Sequence, residues 1–240
     1  MRALHRSSSF SLRPGFTLIE ILVVLAIVAA LTVLGLGAWR RAKEGAMKST
    51  CMVNLRNIGV AMHLHAQENN GVLPLTTHST TLDRAWIYSL EEHLGKFDET
   101  RICPADLLGK ERLAAKGTSY ILNSFVFVPS VDAFGRPRGK AMNRLSNHED
   151  PSGTLLAAVC SDHVGVAAGN DHTHSERWTS WSAVCRDIAP GRHGSSRADA
   201  MDGGSNYLYA DGHVDFIRAT ELKRQVEAGI NPAQPPGWNP

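Results

Sequence analysis

The sequence predicts an α+β protein: one long N-terminal helix spans a membrane, extends beyond it as a stalk and packs on a head built around an antiparallel β-sheet. Three observations carry this expectation. Residues 16–39 are apolar with a single ionisable side chain, Glu20. Beyond them Met47, Cys51, Leu55, Ile58, Met62 and Ala66 recur at steps of four, four, three, four and four, which places them on one face of an α-helix. Towards the far end, residues 207–217 read as two β-prone runs about Asp211-Gly212, a hairpin signal in which glycine accepts the positive φ that a tight turn demands.

Residues 1–15 form a basic leader with Arg2, Arg6 and Arg13 and no acid, which holds that end on the cytoplasmic side of a bilayer. The run 16–39 exceeds the roughly 20 residues, at about 1.5 Å each, that a helix needs to cross hydrocarbon. Gly35 and Gly37 inside it suit close helix packing or local bending. Residues 40–70 continue the helix as an amphipathic extension, with Lys48, Asn54, Arg56, Asn57 and Gln67 on the polar side. Asn69-Asn70-Gly71, followed by Pro74, ends it.

The head is assigned to 71–230. It is expected to contain a helix over 82–94, a shorter one over 110–116, and a strand run at 120–122 that resumes at 125–128. A further strand at 155–160, the hairpin with a two-residue turn, and a closing helix over 220–228 capped by Thr220 complete it. The Pro-rich tail 231–240 is expected to be poorly ordered. About 170 residues beyond residue 70 suffice for one domain with its own core. The 25 basic and 23 acidic residues nearly balance, and loss of the leader leaves 22 against 23; no concentrated basic face points to nucleic acid. No nucleophile elbow, phosphate-cradling glycine loop or His-Glu-x-x-His helix is present, so the expectation is a protein that is not an enzyme.

Gly15-Phe16-Thr17-Leu18-Ile19-Glu20, set between the leader and the apolar run, resembles the type III signal of type IV pilins and type II secretion pseudopilins. A secretory signal peptide has a shorter apolar core and is cut after it. The resemblance implies cleavage between Gly15 and Phe16 by a prepilin peptidase, N-methylation of Phe16, and retention of the whole helix. It also implies a single-pass inner-membrane protein with its head in the periplasm. Flanking charge alone does not give that orientation, since Arg40, Arg41, Lys43 and Lys48 outnumber Glu44 behind the span. The implied function is structural: a subunit that polymerises into the filament of a type II secretion or type IV pilus-like system, with other pilin-like subunits and an inner-membrane assembly platform as partners. A minor pilin or adhesin binding carbohydrate or surfaces through 161–182 and 190–205 is one alternative. A membrane-tethered metal-dependent enzyme is another.

Glu20 has a physical role within that frame. A charged side chain in hydrocarbon is unfavourable by about 2.5 to 3.5 kcal/mol on insertion scales, so a retained one points to function. Cleavage creates a cationic amine on Phe16, and in a staggered bundle of identical helices that amine can lie beside Glu20 of a neighbour and set the axial register.

Downstream, Arg192-His193 and 206–214, with Asn206-Tyr207-Leu208-Tyr209-Ala210-Asp211-Gly212 at its core, resemble the end of a bacterial pseudopilin-like family in which a histidine stands nine residues before Asp-Gly. Blocks beginning at Cys51, Cys103 and Ser119 resemble others of that family, in order. Here 17 residues separate His193 from Asp211, as though a stretch near 195–203 were inserted. That leaves open whether His193 meets the hairpin.

An oxidising compartment, which the orientation implies, makes disulfides available to Cys51, Cys103, Cys160 and Cys185. Four cysteines permit three connectivities. The pairing Cys51 with Cys103, which would pin head to stalk, and Cys160 with Cys185 is set against buried free thiols. No resident cofactor is expected. Weak metal candidates are Asp162, His172, His174 and His193, with calcium near Asp162, Asp199 or Asp202 as another form of the same idea. Solvated loop histidines and turn aspartates are the plainer account.

Overall fold

The computed structural model describes residues 17–131, 134, 136, 140–194 and 201–238. Gly15, Phe16 and Asp199 lie outside the described residues. The chain divides into two units, Met1–Ala42 and Lys43–Pro240. Helix α1, Leu18–Glu68, runs from the first into the second. It ends where the sequence placed its stop: Asn70 and Gly71 take φ of 55° and 78°, and the Gly71 amide donates to the Ala66 carbonyl at 2.7 Å. This left-handed cap satisfies a carbonyl that the last turn would otherwise leave orphaned.

In the first unit the large apolar side chains between Leu18 and Trp39 are exposed, and none is covered by the chain itself. The second unit is a four-stranded sheet in the order β1 (Tyr120–Leu122), β2 (Leu155–Val159), β3 (Gly204–Tyr209), β4 (Val214–Arg218), antiparallel throughout. Short helices α2 (Phe97–Thr100), α3 (Gly109–Ala114), α4 (Ser124–Phe127), α5 (Trp181–Asp187) and α6 (Ala219–Glu227) complete it.

Alternation along the strands builds a core on each face of the sheet. Tyr120, Leu122, Leu156, Val159 and Leu208 share one core with Cys51, Leu55, Ile58, Met62 and Ala66 of α1. Ile121, Ala158 and Tyr207 share the other with Trp178, Val184, Leu222 and Val226. Because both faces are covered, β2 is buried at every position and its sequence is an unbroken apolar run. A register shift between Leu155 and Ala157 lets Leu156 and Ala157 both join the α1 side. The helix approaches the hairpin most closely at Gly59, where an added Cβ would stand 2.7 Å from Leu208 Cδ1 and 3.6 Å from the Gly212 Cα.

A buried ion pair braces the loops. Asp106 Oδ2 accepts Arg112 Nε at 2.9 Å and the Ser119 hydroxyl at 2.6 Å, while the rest of the Arg112 guanidinium donates to the carbonyls of Ser161, Val164 and Gly165. With both side chains removed from solvent, each charge depends on the other and on these hydrogen bonds.

Several local expectations are corrected. Residues 125–128 are not a strand: Asn123 Oδ1 accepts the Phe125 amide at 3.1 Å and starts α4, so a side-chain cap overrides the β propensity of Phe125-Val126-Phe127. The helix expected over 82–94 breaks into two 3-10 turns, Leu82–Arg84 and Tyr88–His93. The β3–β4 turn is not a two-residue one. Gly212 donates to Tyr209 at 2.9 Å and Tyr209 to His213 at 3.0 Å, and only Gly212 (φ 88°) is left-handed, the three-residue form with a glycine bulge. Helix α6 starts one residue earlier than expected, with no side-chain cap. Asn54 belongs to the buried side of α1, not the polar one. The tail from Asn231 is packed: Asn231 donates to Ser175 at 2.7 Å, Asn123 donates to Ala233 at 2.6 Å, and Trp238 meets Phe125 edge to face at 4.9 Å.

Arg112→Ala, which strands a buried carboxylate, should destabilise the head by about 3 to 5 kcal/mol, read from urea unfolding of the detergent-solubilised chain. Arg224→Ala, at an exposed pair with Glu221, should leave the unfolding midpoint unchanged.

Candidate functional site

At the start of α1, the Glu20 carboxylate accepts the Thr17 amide and the Thr17 hydroxyl, both at 2.8 Å, and the Glu20 amide donates back to Thr17 Oγ1 at 3.3 Å. This reciprocal cap satisfies donors that the first turn leaves free. Glu20 is exposed, as are the apolar side chains that follow.

In the head, the structure brings Cys51 and Cys103 together and adds His193. Their two sulfurs and a ring nitrogen all lie within 4.8 Å of one another, and the residues are 0%, 1% and 3% exposed. Each is positioned by a separate device. Cys51 sits on the buried side of α1. Three residues on, Asn54 Nδ2 donates to the carbonyls of Glu99 and Ile102, each at 3.1 Å, and so holds the chain leading to Cys103 against the helix. His193 pairs through its backbone with Gly204, N–H to O at 2.9 Å and 3.0 Å, at the first residue of β3. This bridge holds His193 against the hairpin.

Around the three side chains, His193 Nε2 is 3.8 Å from Cys103 Sγ. The Tyr120 hydroxyl donates to Cys51 Sγ at 3.8 Å. The Asn206 side chain donates to Lys48 O at 3.1 Å. Burial raises the Cys51 thiol, but hydrogen bonds from Cys103 and His193 outweigh it and hold Cys51 well below the ordinary thiol range. Cys103 moves the other way, raised by burial and by the neighbouring Cys51 sulfur.

Cys51, Cys103 and Cys160 are free thiols in this structure. Cys160 lies 3.8 Å from the Thr118 carbonyl, and burial pushes it up to about 12. Cys185 is half-buried on α5 and lines a cleft with His163, Trp181 and Arg186.

The metal candidates from the sequence fall in three places. Asp162 pairs with Arg192 at 2.8 Å. His172 Nδ1 meets Asp171 at 2.8 Å, and its Nε2 meets His78 Nε2 at 3.0 Å. His174 lies beside them, on the rim of a cleft of about 530 Å³ shared with Phe125 and Trp238. Only His193 joins a compact donor group; among the described residues the other such group is the mostly exposed Glu68, Glu92 and His93. Asp211 keeps its turn role, with Oδ1 accepting the His213 amide at 3.0 Å. Asn54, Tyr120 and Asn206 were not singled out from sequence as parts of a site. The order of blocks at Cys51, Cys103 and His193 held the only signal, with no short spacing to mark it.

Limiting alkylation of the native, reduced chain should modify Cys185 first, with Cys51, Cys103 and Cys160 reacting only on unfolding, as read by peptide mass mapping.

No curated protein and no solved structure matches this chain. Residues 11–36 match the family model described as the prokaryotic N-terminal methylation motif. That segment contains Gly15, Phe16 and Glu20 and enters the apolar half of α1, so it supports a single-pass, membrane-anchored subunit of pilin or pseudopilin type.

Proposed function

We propose that the chain is a filament subunit. A prepilin peptidase cuts between Gly15 and Phe16 and the new terminus is methylated. The apolar helix stays in the inner membrane until assembly, with the head on the periplasmic side. The observation that carries this is the methylation motif over 11–36, with Glu20 as a lone carboxylate at the head of α1 and exposed apolar side chains behind it as far as Trp39. Such a surface is covered either by lipid or by copies of itself, and burial of side chains of this kind is worth roughly 1.5 to 3 kcal/mol each when water is the alternative. Between membrane and fibre the difference is smaller, so a polar contact decides the register. Glu20, presented by Thr17, takes that role by receiving the Phe16 amine of an adjoining subunit.

The stalk adds a second supporting feature. Val53, Val60 and Leu64 remain exposed on α1 while the Cys51 to Ala66 row is buried. They recur at seven and four residues, a helical stripe open to a neighbouring subunit. The head then presents its loops to other subunits or to cargo, and the chain works by assembly rather than catalysis.

Glu20→Val should enter the membrane and be processed normally yet yield no sheared filaments. Removing one partner of a buried charge pair costs about 3 to 5 kcal/mol, enough to lower subunit addition roughly 100-fold or more. Normal filaments from that variant, or a chain whose N-terminus by mass spectrometry is not methylated Phe16, would contradict the proposal.

A further inference from the structure

We propose that Cys51, Cys103 and His193 form a zinc(II) site that clamps α1 to the loop after α2 and to the segment entering β3. The donor set is two sulfurs and one imidazole nitrogen, already within 4.8 Å of one another and buried. A tetrahedral zinc ion with Zn–S of about 2.3 Å and Zn–N of about 2.0 Å holds sulfur and nitrogen about 3.5 Å apart and two sulfurs about 3.8 Å apart. The His193 to Cys103 separation, 3.8 Å, lies within about 0.3 Å of the first.

Charge and hydrogen bonding favour the ion over the alternatives. Two thiolates and a neutral imidazole cancel the charge of Zn²⁺, so the loaded cluster is neutral in a buried place where an uncompensated ion would be unfavourable. Each thiol gives up its proton to solvent as the metal enters. The imidazole gains most. Its Nε2 has only the weak contact to Cys103 Sγ, a poor partner for a buried ring nitrogen. A disulfide between Cys51 and Cys103 would use the sulfurs and leave the ring as it is, whereas coordination satisfies Nε2.

The surroundings resemble a prepared outer shell. The Tyr120 hydroxyl hydrogen-bonds the Cys51 sulfur at 3.8 Å, a contact that holds a thiolate ligand in place. Asn206 Oδ1 is buried and without a hydrogen-bond partner. Because the three ligands come from residues 51, 103 and 193, one ion closes two long loops and stabilises the folded head by mass action. Bound metal also keeps the sulfurs from coupling in an oxidising compartment.

The test uses the full chain in detergent, reduced and stripped with a chelator. Titration with Zn²⁺ should give one ion per chain that survives gel filtration, and Co²⁺ as a spectroscopic substitute should give a sulfur-to-cobalt charge-transfer band that saturates at one equivalent. His193→Ala and Cys103→Ser should each weaken Zn²⁺ binding at least about 10-fold, and Cys160→Ser should not. The wild-type titrations need no variant to fold. Absence of the cobalt band, unchanged zinc affinity in Cys103→Ser, or a Cys51–Cys103 disulfide in a non-reducing peptide map of the chain isolated from its host would overturn the proposal.

Discussion

One helix has to satisfy two surroundings, and the rest of the molecule follows from how it does so. Over its first half α1 is apolar all round, with Glu20 as the only ionisable group before Arg40. From Cys51 it becomes one-sided, and Leu55, Ile58 and Met62 share a core with Leu156, Val159 and Leu208 of the sheet. That core fixes which face of the sheet turns to the helix. The opposite face is then left for α5 and α6, with Trp178, Val184, Leu222 and Val226 filling it. Gly59 marks where backbone approach matters most, since any side chain there would press on Leu208.

Polar groups are buried only where they locate something. Asn54 ties the segment before Cys103 to α1 through two carbonyls. Asp106 and Arg112 tie the same block to β1 and to the loop at 161–165. Arg192, held by Asp162 and by the Cys160 carbonyl at 2.8 Å each, anchors the residue beside His193. An interior made of such fixed points costs desolvation at each charge, and the return is a unique arrangement of loops that carry little regular structure of their own.

Much of this was legible in the sequence because it rests on periodicity or on local chemistry. The apolar run, the one-sided row from Cys51 to Ala66, the stop at Asn70-Gly71 and the strands expected at 120–122 and 155–160 were all visible that way. So was the resemblance at 15–20, which the match over 11–36 bears out. What was hidden depended on contacts between distant residues. Asn123 decides the fate of 125–128 through one hydrogen bond. Asn54 looks solvent-facing until Glu99 and Ile102 are known to lie over it. The tail seems free until Asn123 and Ser175 are found to bond it. The meeting of Cys51, Cys103 and His193 has no local signature, since a helix, a loop and a bridge to β3 each supply one member.

The excursion between His193 and β3 has its ends almost touching: a Cβ on Gly194 would lie 4.0 Å from the Gly203 Cα. The pairing of His193 with Gly204 closes it. Entropy of a closed loop grows slowly, about 0.6 kcal/mol for each doubling of length. The place is therefore a natural graft point, where evolution or an engineer can lengthen the chain, vary its chemistry or splice in an epitope without rewriting the scaffold beneath.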